Sequence, residues 1–248
     1  MGPYLLLVLV GLAAGTMNAV AGGGSFVVFP ALVAAGLPSV PANASSTVAL
    51  FPGGLASVAA YRKDPIGLEG VSLSHLVAVT VVGSVIGAVL LLSTPSPVFD
   101  EIVPWLLLIA TLVFSFGQRL GAELRKWVAI GPRTLLAVQF GLGIYSGYFG
   151  GGVSIMMLAA WSVLARTDIM RLNPTRTMIV NAGNAVAVVC FVLAREVRWP
   201  QTAAVLAGAV FGGYVGARIA RRLPPKRLRG AIIIIGSTMT ALFFLRAA

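Results

Sequence analysis

No charged side chain occurs before Arg62. A water-exposed stretch of that length would need charge to dress its surface, since soluble domains carry roughly a quarter charged residues. Over the whole chain only 10% of residues are charged, against 58% hydrophobic, and the mean hydropathy is +0.96. Lipid tails face Leu, Val, Ile and Ala without penalty, so a bilayer removes the demand. The seven acids (Asp64, Glu69, Asp100, Glu101, Glu123, Asp168, Glu196) lie in or beside short polar breaks between apolar runs, and the 18 basic residues cluster in the same breaks. A charge at the centre of a membrane helix costs at least ~2.5 kcal/mol, which accounts for that placement. The net charge of +11 therefore calls for no nucleic acid. Lys and Arg beside membrane segments set topology and meet anionic lipid. The chain reads as an all-α polytopic protein of the cell (inner or plasma) membrane.

The apolar runs fall at about residues 4–22, 24–36, 45–61, 71–92, 98–118, 134–149, 151–165, 175–194, 200–220 and 229–245. Eight of them are the main segments, and those near ~20 residues can cross the hydrocarbon core. The runs at 24–36 and 151–165 are shorter, and three glycines sever each from its predecessor. They read as half-helices, either re-entrant or the second parts of broken helices. Ala19-Val20-Ala21 resembles a signal cleavage site, but no basic region precedes it and apolar character resumes at Phe26, so an uncleaved first segment is expected.

A repeat organises the chain. Gly15-Thr16-Met17-Asn18 before Gly22-Gly23-Gly24-Ser25 matches Gly143-Ile144-Tyr145-Ser146 before Gly150-Gly151-Gly152, with Ser154 close behind. Asn43 to Thr47 then matches Asn173 to Thr177, Gly53 matches Gly183, and the Gly83/Gly87 pair matches Gly212/Gly216. A register held that long indicates two homologous halves, 4–118 and 134–247, in one transmembrane domain covering 1–248. The break at 93–101 is acidic, whereas those at 62–69, 119–133 and 218–229 are basic. The positive-inside rule puts the first outside and the others inside. Breaks 93–101 and 218–229 hold equivalent places in the two halves, so the halves are expected to be inverted, with a parallel four-plus-four arrangement as the rival.

The glycine breaks are the first candidates for a site. A half-helix starting there presents unpaired N–H groups and the positive end of its dipole, which favours an anion. Close packing at a kink is the plain alternative. The Asn-x-x-x-Thr stretches come second; ordinary helix capping explains their Asn, Ser and Thr, but not Arg176, a cation in a first turn. Asn181 and Asn184, inside the next helix, need partners within the membrane. Gly208, Gly212 and Gly216, like Gly83 and Gly87, suit close helix packing within the chain or across a homodimer. His75 is expected at an interface. One histidine, one cysteine (Cys190) and no acid in mid-helix leave no catalytic set, no metal site and no cofactor motif, so an enzyme is not expected.

The stretch Ala14 to Ser25, followed by Pro30, Gly36-Leu37-Pro38 and Ala42-Asn43-Ala44-Ser45, resembles the sulfite exporter TauE/SafE family of membrane permeases, as does Gly147-Tyr148-Phe149-Gly150-Gly151-Gly152. The resemblance spans essentially the whole chain. It implies an exporter of sulfite, sulfonates or related sulfur-containing anions; Ala159-Ala160-Trp161 in place of Phe29-Pro30-Ala31, and Arg176 in place of Ser46, depart from the first-half pattern. The expectation is a secondary transporter working by alternating access. The residues expected to bind substrate are Asn18, Gly22, Gly23, Gly24, Ser25, Asn43, Thr47, Ser146, Gly150, Gly151, Gly152, Ser154, Asn173, Thr175, Arg176 and Thr177. Its partners would be a small anion and the lipid bilayer. A channel-like pore and a non-transporting membrane subunit are the alternatives.

Overall fold

A computed structural model describes residues 2–20, 23–60, 66–124, 131–164 and 171–220, and in the C-terminal stretch 230, 233, 234, 237, 238 and 240–245. Among these residues the fold is all helical: α1 (Gly2–Val20), α2 (Ser25–Ala34), α3 (Ser39–Ala60), α4 (Leu73–Ser93), α5 (Ser96–Leu124), α6 (Pro132–Tyr148), α7 (Val153–Leu164), α8 (Asn173–Leu193) and α9 (Trp199–Ala220). Prolines set several starts, because a missing N–H costs nothing in a first turn. Pro132 opens α6 and Pro174 stands in the first turn of α8. Ser72 caps α4, accepting from the His75 amide.

Polar and apolar residues are distributed as lipid, not water, requires. Trp105, Ile109, Leu112 and Phe116 make one exposed stripe along α5, and Phe211 on α9 is 70% exposed. Asn43, Ser45, Thr80, Ser84, Gln139, Ser146 and Thr175 are buried. In water this would be backward; in a membrane the lipid takes the apolar faces and the helices satisfy the polar ones. Among the described residues, three stretches are long and apolar enough to cross a bilayer: Leu73–Ser93, Ser96–Val113 and Asn173–Leu193.

Glycine seams fix the helix directions. A Cβ at Gly208 would overlap the Val8 carbonyl oxygen, and one at Gly212 that of Leu12. Conversely Gly11 meets Val205, and Gly15 meets Ala209, so α1 and α9 run side by side in the same direction. Likewise Gly83 meets Phe140, Gly87 meets Ile144, Gly143 meets Thr80 and Gly147 meets Ser84, so α4 and α6 run together. For Gly83, Gly87, Gly208 and Gly212 the expected glycine packing is thus made inside the chain; the surroundings of Gly216 lie outside the description.

Helices α3 and α8 cross in opposite senses. The Ser45 hydroxyl, early in α3, accepts from the Arg198 amide beyond α8 at 2.9 Å, and Thr175, early in α8, bonds Ile66 beyond α3 at 2.8 Å. The molecule therefore has a Ser39 end and an Ile66 end. The Ser39 hydroxyl donates to the Ser96 carbonyl at 3.4 Å, which puts the start of α5 at the former. Helix α1 enters beside α9 from the Ser39 end, and α2 returns to that end. Helix α6 enters beside α4 from the Ile66 end, and α7 returns to that one.

Candidate functional site

The second glycine break is built around Tyr145. Its carbonyl oxygen accepts from the amides of Phe149 at 2.9 Å and Gly150 at 3.0 Å, while its hydroxyl donates forward to the Gly151 carbonyl at 2.7 Å. Gly150 and Gly152 both have φ +71°, and Gly151 between them does not share the positive φ. The left-handed conformation costs an L-residue about 1–2 kcal/mol, so glycine is required at both places. Such alternation gathers successive amides on one side, the arrangement of anion-binding backbone concavities. Helix α7 then begins at Val153, and the amides of Gly151, Gly152 and Ser154 donate to no described group.

The first break is different. Gly22, expected to contribute an amide, lies outside the described residues. Gly24 is right-handed at φ −59°, and its amide donates to Asn18 Oδ1 at 2.8 Å. Asn18 thus caps α2 from the neighbouring helix. Its counterpart Ser146 has a shorter side chain and turns instead to Asn184, whose Oδ1 accepts from the Ser146 hydroxyl at 3.4 Å. The two breaks, equivalent by sequence, differ in how their amides are satisfied.

The breaks meet. The Phe26 ring, in the first turn of α2, covers Gly152 so closely that a Cβ there would lie 2.8 Å from it. Helix α3 closes the junction: Asn43 Nδ2 donates to the Tyr148 carbonyl at 3.1 Å, and Thr47 Oγ1 would stand 3.9 Å from a Cβ at Gly150. Contacts of Phe26 with Gly152, Asn43 with Tyr148 and Thr47 with Gly150 therefore bring α2 and α3 onto the second break, while Asn18 holds Gly24 between Gly23 and Ser25, and Ser154 lies in the first turn of α7. The glycines there are tightly covered, Gly151 by the Phe149 ring and Gly24 by Ala14 and Asn18, as close packing at a kink also requires.

The remaining expected residues lie elsewhere. Asn173, Thr175, Arg176 and Thr177 form the first turns of α8, at the Ile66 end. The Thr175 hydroxyl is consumed by two hydrogen bonds to Ile66, accepting from its amide and donating to its carbonyl, and the Thr177 carbonyl accepts from Asn181 Nδ2 at 2.8 Å. Arg176 is half-buried. The capping expectation needs correction at both stretches. Leu172 holds the cap position of α8 without a side-chain bond, and Asn43 sits inside α3, which starts earlier, at Ser39. Pro41 is acceptable in that first turn, so the helix runs through the Asn-Ser-Ser-Thr stretch instead of beginning after it.

Three features escaped the sequence reading. Tyr145 shapes the break. An aromatic cluster lies between the break and the Ser39 end: Phe29 stacks on Phe243 with ring centres 5.5 Å apart and meets Phe149 edge-on at 5.8 Å and Phe99 at 6.2 Å. Gln139, wholly buried, donates to the Thr80 hydroxyl at 2.8 Å and accepts from the Trp161 indole at 3.1 Å, tying α4, α6 and α7 together. A lone amide in the apolar run of α6 was the available signal for the last.

Comparison with known proteins follows the same lines. The family described as Sulfite exporter TauE/SafE matches residues 7–243. The chain is 30% identical over 244 residues to the Escherichia coli K12 protein named "Probable membrane transporter protein YfcA", covering 96% of this chain and 89% of that one. It is 28% identical to a "Probable membrane transporter protein" of Haemophilus influenzae, covering 95% and 92%, and 26% identical to "Probable membrane transporter protein ORF9" of a Sinorhizobium species, covering 90% and 85%. No solved structure matches the chain significantly.

Proposed function

The chain belongs to the sulfite exporter TauE/SafE family of membrane transporters, and on that premise we propose that it is a secondary exporter of sulfite, sulfonates or related sulfur-containing anions in the cytoplasmic membrane. The observation that carries this reading is the meeting of the two glycine breaks. Helices α2 and α7 have 10 and 12 residues. At about 1.5 Å per residue they reach in from opposite ends by about 15 and 18 Å, together close to the ~30 Å hydrocarbon core. Their tips thus meet near mid-membrane. The free amides of Gly151, Gly152 and Ser154 supply donors for an oxyanion there, with the N-terminal dipole of α7 behind them.

Helix directions support an inverted pair of halves. In the first half two helices enter and return, then α3, α4 and α5 cross, an odd number; in the second, among the described residues, α6 and α7 enter and return and α8 and α9 cross in the opposite senses to α3 and α4. Exchange of the halves converts the α1–α9 seam into α6–α4, with Gly15 against Ala209 becoming Gly143 against Thr80. Alternating access follows from rocking one half on the other. Charge supports an orientation with the Ile66 end in the cytoplasm. All basic residues except Arg195, Arg198 and Arg246 fall, by sequence, within two turns of the segments flanking helix ends on that side.

The test is flux in proteoliposomes loaded with sulfite, methanesulfonate, thiosulfate or sulfate. Saturable efflux of at least one, reduced by the others in proportion to their likeness, is the expected result. Flux that rises linearly with concentration would favour a pore, and no flux of any of them would remove the assigned substrate class.

A further inference from the structure

We propose that Ser45 and Thr175 are paired conformational latches, one for each end of the molecule. The inference rests on the alternating-access reading. Ser45 on α3 and Thr175 on α8 hold equivalent places in the repeat, two residues after Asn43 and Asn173. Both are wholly buried. Each holds a loop of the opposite half: Ser45 accepts from the Arg198 amide between α8 and α9, and Thr175 clasps Ile66 between α3 and α4. The two loops lie at opposite ends. Rocking that opens the Ser39 end must break the Ser45 bond while Thr175 can remain closed, and the converse holds for the Ile66 end.

The latches are unequal. Ser45 makes one bond at 2.9 Å, whereas the Thr175 hydroxyl both accepts from the Ile66 amide and donates to its carbonyl, each at 2.8 Å. The Ile66 end is therefore the more firmly held, and the protein at rest favours opening at the Ser39 end. Loss of one such bond changes an equilibrium by about five-fold, and loss of two by more.

The experiment is labelling by a membrane-impermeant maleimide in a full-length Cys190→Ala background. One reporter is Val197→Cys, in the buried part of the α8–α9 loop; the other is Leu68→Cys, in the α3–α4 loop. Ser45→Ala should raise labelling at 197 about five-fold and lower it at 68. Thr175→Val should do the reverse, with the larger change. Ser45→Thr and Thr175→Ser keep the hydroxyl and should restore the parent rates, which separates a lost bond from a damaged fold. Movement of both reporters in the same direction, or of neither, overturns the latch. No substrate enters the measurement, so a wrong cargo leaves its outcome intact, and saturable flux with immobile reporters would reject the latch alone.

Discussion

Asn43 of α3 donates its side-chain amide to the carbonyl oxygen of Tyr148, the last residue of α6, at 3.1 Å. That oxygen stands at a helix C-terminus, where the final carbonyls have no partner in the helix itself. A residue of the first half thus caps the helix leading into the second half's glycine break. Asn43→Ala should lower stability by about 1–2 kcal/mol, because a buried acceptor is left unmet. The midpoint of thermal unfolding in detergent reads this, and an unchanged midpoint would mean the bond is not maintained.

Gly152→Ala should carry two separable costs. Its φ of +71° strains any L-residue by about 1–2 kcal/mol, and the new Cβ would strike Phe26. Pairing it with Phe26→Ala relieves the collision but not the strain. A double-mutant cycle on unfolding should therefore show partial rescue. Complete rescue would contradict the left-handed assignment.

Tyr145→Phe removes one oxygen. The Gly151 carbonyl loses its donor, and the loop carrying the free amides loses its clasp. The Michaelis constant for the transported anion should rise several-fold while maximal flux changes less, since the effect is on the geometry of the donors. Equal loss in both parameters would indicate general damage.

The α1–α9 seam offers a paired test on adjacent residues. A side chain at Gly212 would overlap the Leu12 carbonyl, whereas one at Gly213 would stand 4.0 Å from the Gly15 oxygen. Gly212→Leu should abolish recovery of folded protein, and Gly213→Ala should be tolerated; size-exclusion profiles after membrane extraction distinguish them.

The sequence made the helices and their breaks legible because charge and glycine are the residues a bilayer places most strictly. The glycine breaks at Gly22 to Ser25 and Gly150 to Ser154 stand out in the sequence by the same pattern. What stayed hidden depended on contacts across the chain. Asn18 and Ser146 occupy one register position, yet only the longer side chain reaches its break, a difference of reach that periodicity cannot express. Thr175 looked like a site residue because hydroxyls serve caps, ligands and latches alike; its partner Ile66 lies 109 positions away. The aromatic cluster joins Phe29, Phe99, Phe149 and Phe243 from four separate segments, none distinctive by itself.

We propose that an anion binds where the two breaks meet. The most direct measurement is the rate at which Ser154→Cys, in the Cys190→Ala background, reacts with a sulfonate-bearing methanethiosulfonate reagent, with and without methanesulfonate. Reaction should slow several-fold as methanesulfonate is added, and the slowing should saturate with its concentration. A cysteine that never reacts from either side, or reacts at a rate indifferent to the sulfonate, would contradict it.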